Sequence, residues 1–295
     1  MKQLRFLSMI NECHSHAKAS EESNMNEVFG FDAYAPKEIA EKIETIGVTK
    51  ARLPILSQIT LGLLAGGFIG LGALYFTIVV SDGSLSFATS RILGGIAFSF
   101  GLILVVVAGA ELFTGNNLLV MAWAGGRITT FELLRNWILI YLANFVGALG
   151  LVLLVVWSHQ WRMNSDGVGT TAVKIAAAKG ALPFWEAFFK GVLCNILVCL
   201  AVWLALAGRS VVDKIFAIVF PISAFVAAGF EHSVANMYFI PLGILLKDQL
   251  APGIAENLSW FSVWSNLIPV TLGNICGGSL MVALVYHFIY RRGCR

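Results

Sequence analysis

Long apolar stretches alternate with short polar gaps along most of the 295-residue chain. A helix needs about 20 apolar residues to cross the hydrocarbon core of a bilayer. Six stretches reach this length, and they run roughly over 54–80, 92–124, 136–158, 183–207, 215–246 and 261–290. The pattern therefore predicts an all-α polytopic membrane protein with six transmembrane helices.

Polar residues interrupt the second and fifth stretches, which are too long for simple transmembrane helices. One interruption reads ELFTGNN over residues 111–117, and the other reads GFEHSVAN over residues 229–236. Irregular backbone at membrane depth is tolerated only where protein or a water-lined cavity covers it. We therefore predict that the second and fifth transmembrane helices are broken at these points.

The two halves of the chain share two sequence patterns in the same order. The pattern G-x-E-x4-N begins at Gly109 and again at Gly229, and N-x7-N-x2-G begins at Asn136 and again at Asn266. Three spans per copy force the two copies to insert in opposite senses, and inverted repeats with broken helices are typical of transporters. Glycines at four-residue spacing, such as Gly66, favour close helix packing. The predicted fold therefore consists of two inverted three-helix repeats.

The first 52 residues form a polar leader that we predict to be cytoplasmic. Residues 53–290 form the six-helix domain, and residues 291–295 form a basic cytoplasmic tail. Within the leader, Ile39, Ile43 and Ile46 recur at helical spacing and predict an amphipathic helix. This helix either lies on the membrane surface or packs against its own protein.

Composition agrees with a membrane protein. The chain is 58% hydrophobic and 13% charged, whereas soluble domains carry about 25% charged residues. Lys and Arg favour an orientation with both termini cytoplasmic. A formal net charge of +3 gives no reason to expect a nucleic-acid partner.

The cysteines do not predict a metal site. The sequence has five, and none forms a CxxC pair. The run Cys13-His14-Ser15-His16 has suitable ligand types but lies in the polar leader. We predict no catalytic residue, no metal and no cofactor.

Several segments resemble the formate/nitrite transporter family of microbial monovalent-anion channels. They are residues 109–129, 136–149, 194–203, 229–244 and 266–278, and the likeness extends from about residue 54 to 290. The resemblance, which is greatest to the formate channels, implies an aquaporin-like protomer and a homopentamer with one pore per protomer in the bacterial inner membrane. It also implies transport of formate, nitrite or hydrosulfide with proton involvement.

His232 is the central candidate, because imidazole is the side chain that changes charge near neutral pH. The alternative is a structural histidine bonded to carbonyl groups. The resemblance makes Thr114 a contact of both His232 and the anion, although Thr also favours helix caps. It makes Lys179 an outer electrostatic lure for anions, and the alternative is an ordinary loop lysine.

The resemblance assigns further residues to the pathway and to support of the broken segments. Phe98, Leu102, Leu112 and Phe225 match apolar constrictions, although such side chains are usually packing residues. The remaining pathway residues are Phe113 and Asn195, and the loop-support residues are Glu111, Glu231, Asn236 and Asn274.

Two other classes of membrane protein are alternatives to an anion channel. A membrane enzyme needs metal ligands or a nucleophile–base pair at membrane depth, and no second His or Cys pairs with His232 by spacing. A water or glycerol channel carries two Asn-Pro-Ala motifs, and the sequence has none. The sequence predicts a channel for small monovalent anions, with formate ahead of nitrite and hydrosulfide.

Overall fold

The computed structural model describes residues 33–250, 253 and 255–292, so the Cys13–His16 run lies outside the described residues. Everything regular within these ranges is helical. The α-helices are α1 Pro36–Ala51, α2 Ile55–Val80, α3 Phe87–Ile103, α4 Val120–Ala124, α5 Thr130–Trp157, α6 Gly167–Gly180, α7 Phe184–Ala207, α8 Val211–Ala228, α9 Ser233–Leu250, α10 Trp260–Ile275 and α11 Val285–Tyr290.

Six spans are long and apolar enough to cross a membrane, which confirms the predicted number. They are Ile55–Val80, Phe87–Gly109, Thr130–Trp157, Phe184–Ala207, Val211–Ala228 and Trp260–Tyr290. The last span combines α10 and α11 with a π-helical segment, Cys276–Leu284, between them.

Both predicted breaks are present, and each follows a glycine in the left-handed region. After α3 the chain forms a π-helical turn, Leu104–Gly109, and leaves it through Gly109 at φ +88°. A 3-10 turn, Gly115–Leu119, then leads into α4. In the second repeat, α8 ends at Gly229 with φ +74°, and α9 begins at Ser233. A side chain would strain the backbone at both glycines.

Helix α1 packs against its own protein, the second of the two alternatives for the amphipathic helix. Pro36 occupies its first turn, and Glu38 reaches back to the backbone N–H of Ala35 at 2.7 Å. Ile39 and Ile43 are buried. The apolar face of α1 therefore covers the protein rather than lipid.

Helix α6 lies between the third and fourth predicted spans, in a segment where the hydrophobic pattern predicts no helix. It has only 14 residues, many of them alanine, so it falls below the length that defines a span. It occupies the same place in the second repeat as α1 does in the first, immediately before the first span. Each repeat therefore contains a short helix before its three spans.

Close glycine contacts join the spans within each repeat. A Cβ added at Gly66 would overlap the carbonyl oxygen of Asn144, and one at Gly273 would overlap that of Phe188. These contacts bring α2 against α5, and α7 against α10. The spans that support the two breaks are thereby held at backbone distance, as small residues allow in membranes.

Candidate transport pathway

The first break is held by a buried polar network. Lys50 Nζ lies 3.1 Å from Glu111 Oε1. Asn116 Nδ2 donates to Glu111 Oε2 at 2.7 Å and to Asn136 Oδ1 at 3.0 Å. Asn136 in turn donates to the carbonyl oxygen of Lys50 at 3.3 Å. The network ties the end of α1 to the break and to α5.

The second break has the same network with different residues. Lys179 Nζ lies 2.8 Å from Glu231 Oε1. Asn236 Nδ2 donates to Glu231 Oε2 and to Asn266 Oδ1, both at 2.7 Å. Asn266 then donates to the carbonyl oxygen of Lys179 at 2.9 Å. The two repeats therefore share their hydrogen bonds and ion pair as well as their sequence patterns. In the second repeat, α6 takes the place that α1 has in the first.

One asparagine clamps each break from the side. Asn144 donates to the carbonyl oxygen of Glu111 at 2.9 Å and accepts from the N–H of Phe113 at 2.9 Å. Asn274 donates to the carbonyl oxygen of Glu231 at 3.0 Å and accepts from the N–H of Ser233 at 2.9 Å. An unpaired backbone group in hydrocarbon costs several kcal/mol, so each amide compensates two such groups.

Five side chains of these networks are absent from the predicted site, namely Lys50, Asn116, Asn136, Asn144 and Asn266. The sequence patterns mark the four asparagines only as members of the repeat. The repeat is also the signal that could have found them, because Asn116 and Asn144 correspond to the predicted residues Asn236 and Asn274, and Asn136 and Asn266 begin the pattern N-x7-N.

His232 and Thr114 meet where the two breaks face each other. Thr114 Oγ1 lies 3.0 Å from His232 Nε2, and both residues are buried. The N–H of Ala235 donates to His232 Nδ1 at 3.1 Å. A nitrogen that accepts a hydrogen bond carries no proton, so the ring is neutral in this geometry and its proton sits on Nε2. His232 then donates to Thr114.

The backbone of Thr114 is also fixed. Its carbonyl oxygen accepts from Asn195 Nδ2 at 3.2 Å and from Cys199 Sγ at 3.5 Å. Asn195 donates as well to the carbonyl oxygen of Asn274 at 2.7 Å, so one amide joins the two repeats. Its Oδ1 is buried without a hydrogen-bond partner among the described residues.

Two cavities approach this point from opposite ends, and they share no lining residue. The α1-side vestibule has a volume of about 280 Å³ and includes Lys50, Leu102 and Leu112. The α6-side vestibule has a volume of about 220 Å³ and includes Lys179 and His232. The pathway is therefore closed between them in this conformation.

Aromatic rings narrow the α6-side vestibule. Phe98 and Phe225 meet edge to face with ring centroids 5.6 Å apart, and the ring of Phe225 stacks at 6.0 Å on that of His232. Leu102 lies one turn beyond Phe98 on α3 and lines the other cavity. The structure thus brings all four predicted constriction residues to the walls of the two vestibules.

Four candidates lie differently from the expectation. Thr114, Asn195 and Phe113 line neither cavity, and Phe113 packs edge to face on Tyr141, with ring centroids 4.9 Å apart. Lys179 is not a loop lysine, because it lies in the last turn of α6, and its side chain is only 16% exposed. Lys190, which the sequence places in the fourth span as either snorkelling or paired, forms an ion pair with Glu186 one turn earlier at 2.6 Å.

Comparison with known families agrees with this geometry. The family model for the formate/nitrite transporter matches residues 37–288. The chain belongs to the formate/nitrite transporter family. The match covers both repeats, both breaks and helix α1.

Individual relatives match over most of their length. The formate channel FocA of Escherichia coli K12 is 43% identical over 274 residues, which cover 89% of this chain and 96% of FocA. A probable formate transporter of Methanothermobacter thermautotrophicus is 38% identical over 274 residues, covering 87% of this chain and 97% of that protein. These relatives are channels and transporters, which confirms the prediction of a transport protein over a membrane enzyme.

Solved structures show the same fold. A pentameric formate channel with formate bound superposes with a TM-score of 0.75 at 37% identity, covering 80% of this chain and 97% of that chain. A second ion channel of the family has a TM-score of 0.77 at 29% identity, covering 85% and 98%. The six-span, two-repeat architecture is therefore that of the family.

Proposed function

We propose that this protein is a formate channel that works as a homopentamer in the bacterial inner membrane, with both termini cytoplasmic. The observation that carries the proposal is the buried His232–Thr114 pair where two separate vestibules approach each other, each with one lysine at its wall. The proposal is further supported by the relatives, which are named formate channels. The orientation is supported by a contact between helix α1 and the last described residues, because Arg291 donates to Glu44 of α1 at 3.0 Å.

The physical obstacle is the charge of formate. Moving a small bare ion into a medium of low dielectric costs on the order of 20 kcal/mol in the idealised Born picture. Positive groups at the vestibules and the amino end of α9 lower this cost at the entrance. Protonation removes the charge altogether, so a neutral acid crosses the apolar segment between the vestibules.

His232 acts in this mechanism as a neutral hydrogen-bond donor. Its Nδ1 accepts from Ala235, and a charged imidazolium would lose that bond because both of its nitrogens are donors. The Nε2–H, now bonded to Thr114, turns to the substrate oxygen. The proton that neutralises formate comes from hydronium in the solvent on the entry side, so each formate that enters consumes one proton there. The acid then passes Leu102 and Leu112 and ionises on the other side.

The function is tested by uptake into proteoliposomes of purified protein that elutes as a pentamer. We expect formate uptake well above that of empty vesicles and faster with an inward proton gradient, with nitrite and hydrosulfide measured as competitors. Glycerol-driven swelling serves as the test for a neutral-solute channel. Absence of formate uptake, or fast glycerol entry, would contradict the proposal.

A further inference from the structure

The α6-side vestibule contains a second cation besides Lys179. Arg91 lies in the second turn of α3 and lines the cavity. The other charged or titratable side chains that line it, among the described residues, are Lys179, Glu231 and His232. The charge that an arriving anion meets is therefore set by these four groups.

Lys179 adds little to the net charge of the vestibule, because its charge is paired with that of Glu231. Its Nζ lies 2.8 Å from Glu231 Oε1, and the two side chains are 16% and 5% exposed. On its other side, Nζ lies 5.4 Å from the ring centre of Phe239. With His232 neutral, the pair sums to zero, and the net charge of +1 in the vestibule belongs to Arg91.

Arg91 also has unused hydrogen-bonding capacity. Its Nε is buried without a hydrogen-bond partner within the part of the chain that the structure describes. The guanidinium carbon lies 5.7 Å from the ring centre of Phe87. A buried donor without an acceptor is costly, more so in a charged group. An anion in the vestibule would remove that cost.

The second break is shaped to admit the guanidinium. A Cβ added at Gly229 would lie 3.0 Å from Arg91 Nη2, so the side chain rests against the bare backbone of this glycine. Gly229 is two residues before Glu231 and three before His232. Arg91 therefore stands at the start of the segment that ends at the central histidine.

We propose that Arg91 is the anion-capture residue of the α6-side vestibule and selects anions with two coplanar oxygens. This rests on the proposed function and deepens it. A guanidinium binds a carboxylate through two parallel hydrogen bonds, whereas an ammonium acts as a point charge. Formate offers this two-oxygen geometry, and hydrosulfide, with a single sulfur, does not.

Two substitutions at Arg91 separate charge from shape. Arg91→Gln removes the charge, and Arg91→Lys keeps the charge but removes the planar fork. Lys174→Gln is the matched control, because Lys174 lies on the same α6 as Lys179 but is exposed and lines no vestibule. Initial uptake of formate and of hydrosulfide is measured from the α6 side at low and high ionic strength, on variants that elute as the wild type does.

For Arg91→Gln we expect the half-saturating formate concentration to rise roughly threefold to tenfold at low ionic strength. The difference should shrink above about 0.1 M salt, where charges are screened beyond about 10 Å. Arg91→Lys, which keeps the charge, should take up hydrosulfide as the wild type does. It should lose the preference for formate over hydrosulfide, because it lacks the planar fork. Lys174→Gln should match the wild type.

Each contrary result has a distinct meaning. If the wild type takes up formate and Arg91→Gln has the same half-saturation and salt dependence, the inference is wrong. If Arg91→Lys transports both anions as the wild type does, selection by the planar fork is wrong. If the wild type takes up no formate, the proposed function fails, and with it the inference.

Discussion

At the scale of single residues, the neighbours of a side chain decide what it can do. His232 is the clearest case, because imidazole allows either proton transfer or plain hydrogen bonding. The N–H of Ala235 occupies Nδ1, and Thr114 occupies Nε2. These two contacts assign a donor role to Nε2 and leave no free nitrogen to take up a proton. A histidine that looks like a proton carrier in sequence is therefore proposed to work uncharged.

Two substitutions separate these two roles of His232. His232→Gln places an amide N–H near the position of Nε2 but does not titrate, and His232→Phe removes the donor. We expect His232→Gln to keep the response of formate uptake to an imposed pH gradient, and His232→Phe to lose formate capture. The measurement is uptake by proteoliposomes with and without the gradient.

Thr114→Val is the companion variant, since it removes the hydroxyl that His232 contacts and keeps the shape. The side chain of Thr114 makes no helix-cap hydrogen bond, so we expect Thr114→Val to lower formate flux per folded protein. A variant that loses only about 1 kcal/mol of stability and keeps that flux would contradict a pathway role for the hydroxyl. A His232→Gln variant that conducts formate but ignores the gradient would show that titration of His232 is required.

At the scale of elements, a lysine at the end of each short helix holds a break in the spans. Lys50 of α1 pairs with Glu111, and Lys179 of α6 pairs with Glu231. Both glutamates are buried, and each also accepts from an asparagine five residues later. Removal of the lysine leaves a buried carboxylate without its partner charge, a greater loss than that of a surface ion pair.

Lys179→Ala is therefore expected to destabilise the protein by about 3 kcal/mol or more, and to reduce formate flux in proportion to the loss of folded pentamer. Lys179→Ala combined with Glu231→Gln removes both charges, so it should recover most of the stability. Thermal melting in detergent compares the single and double variants. A double variant that melts no higher than the single one would show that the charge pairing is not what matters.

At the scale of the whole molecule, the two ends of the described chain are joined at one buried carboxylate. Glu44 of α1 lies 2.9 Å from Arg291 Nη2, 3.4 Å from His287 Nδ1 and 3.8 Å from Arg127 Nη1. Its side chain is almost fully buried. This contact fixes α1 at the mouth of the α1-side vestibule, which α1 helps to line.

Glu44→Gln should loosen α1 because it removes the charge that these three groups share. We expect faster limited proteolysis between α1 and α2 and a lower melting temperature in detergent. Glu41→Gln is the matched control, since Glu41 lies on the exposed side of the same helix. Equal cleavage rates in the two variants would contradict the role of Glu44.

The sequence alone determined the spans, the breaks and the repeat, because each is a local property of the chain. A span needs only about 20 consecutive apolar residues. A glycine and a charged residue inside such a run indicate a break, as at Gly109 with Glu111 and at Gly229 with Glu231. The family resemblance supplied the rest of the candidate pathway.

Only the tertiary structure decided which groups meet, because the decisive pairs are far apart in the chain. Lys179 and Glu231 are separated by 52 residues, and Thr114 and His232 by 118. No local pattern reveals that Glu231 neutralises the charge of Lys179. Nor does any local pattern reveal that, among the described residues, no carboxylate forms an ion pair with Arg91. Helix α6 was missed for a related reason, since its stability comes from packing on α9 rather than from its length or hydropathy. Charge balance in a buried vestibule depends on distance in space, and distance in space is what the fold determines.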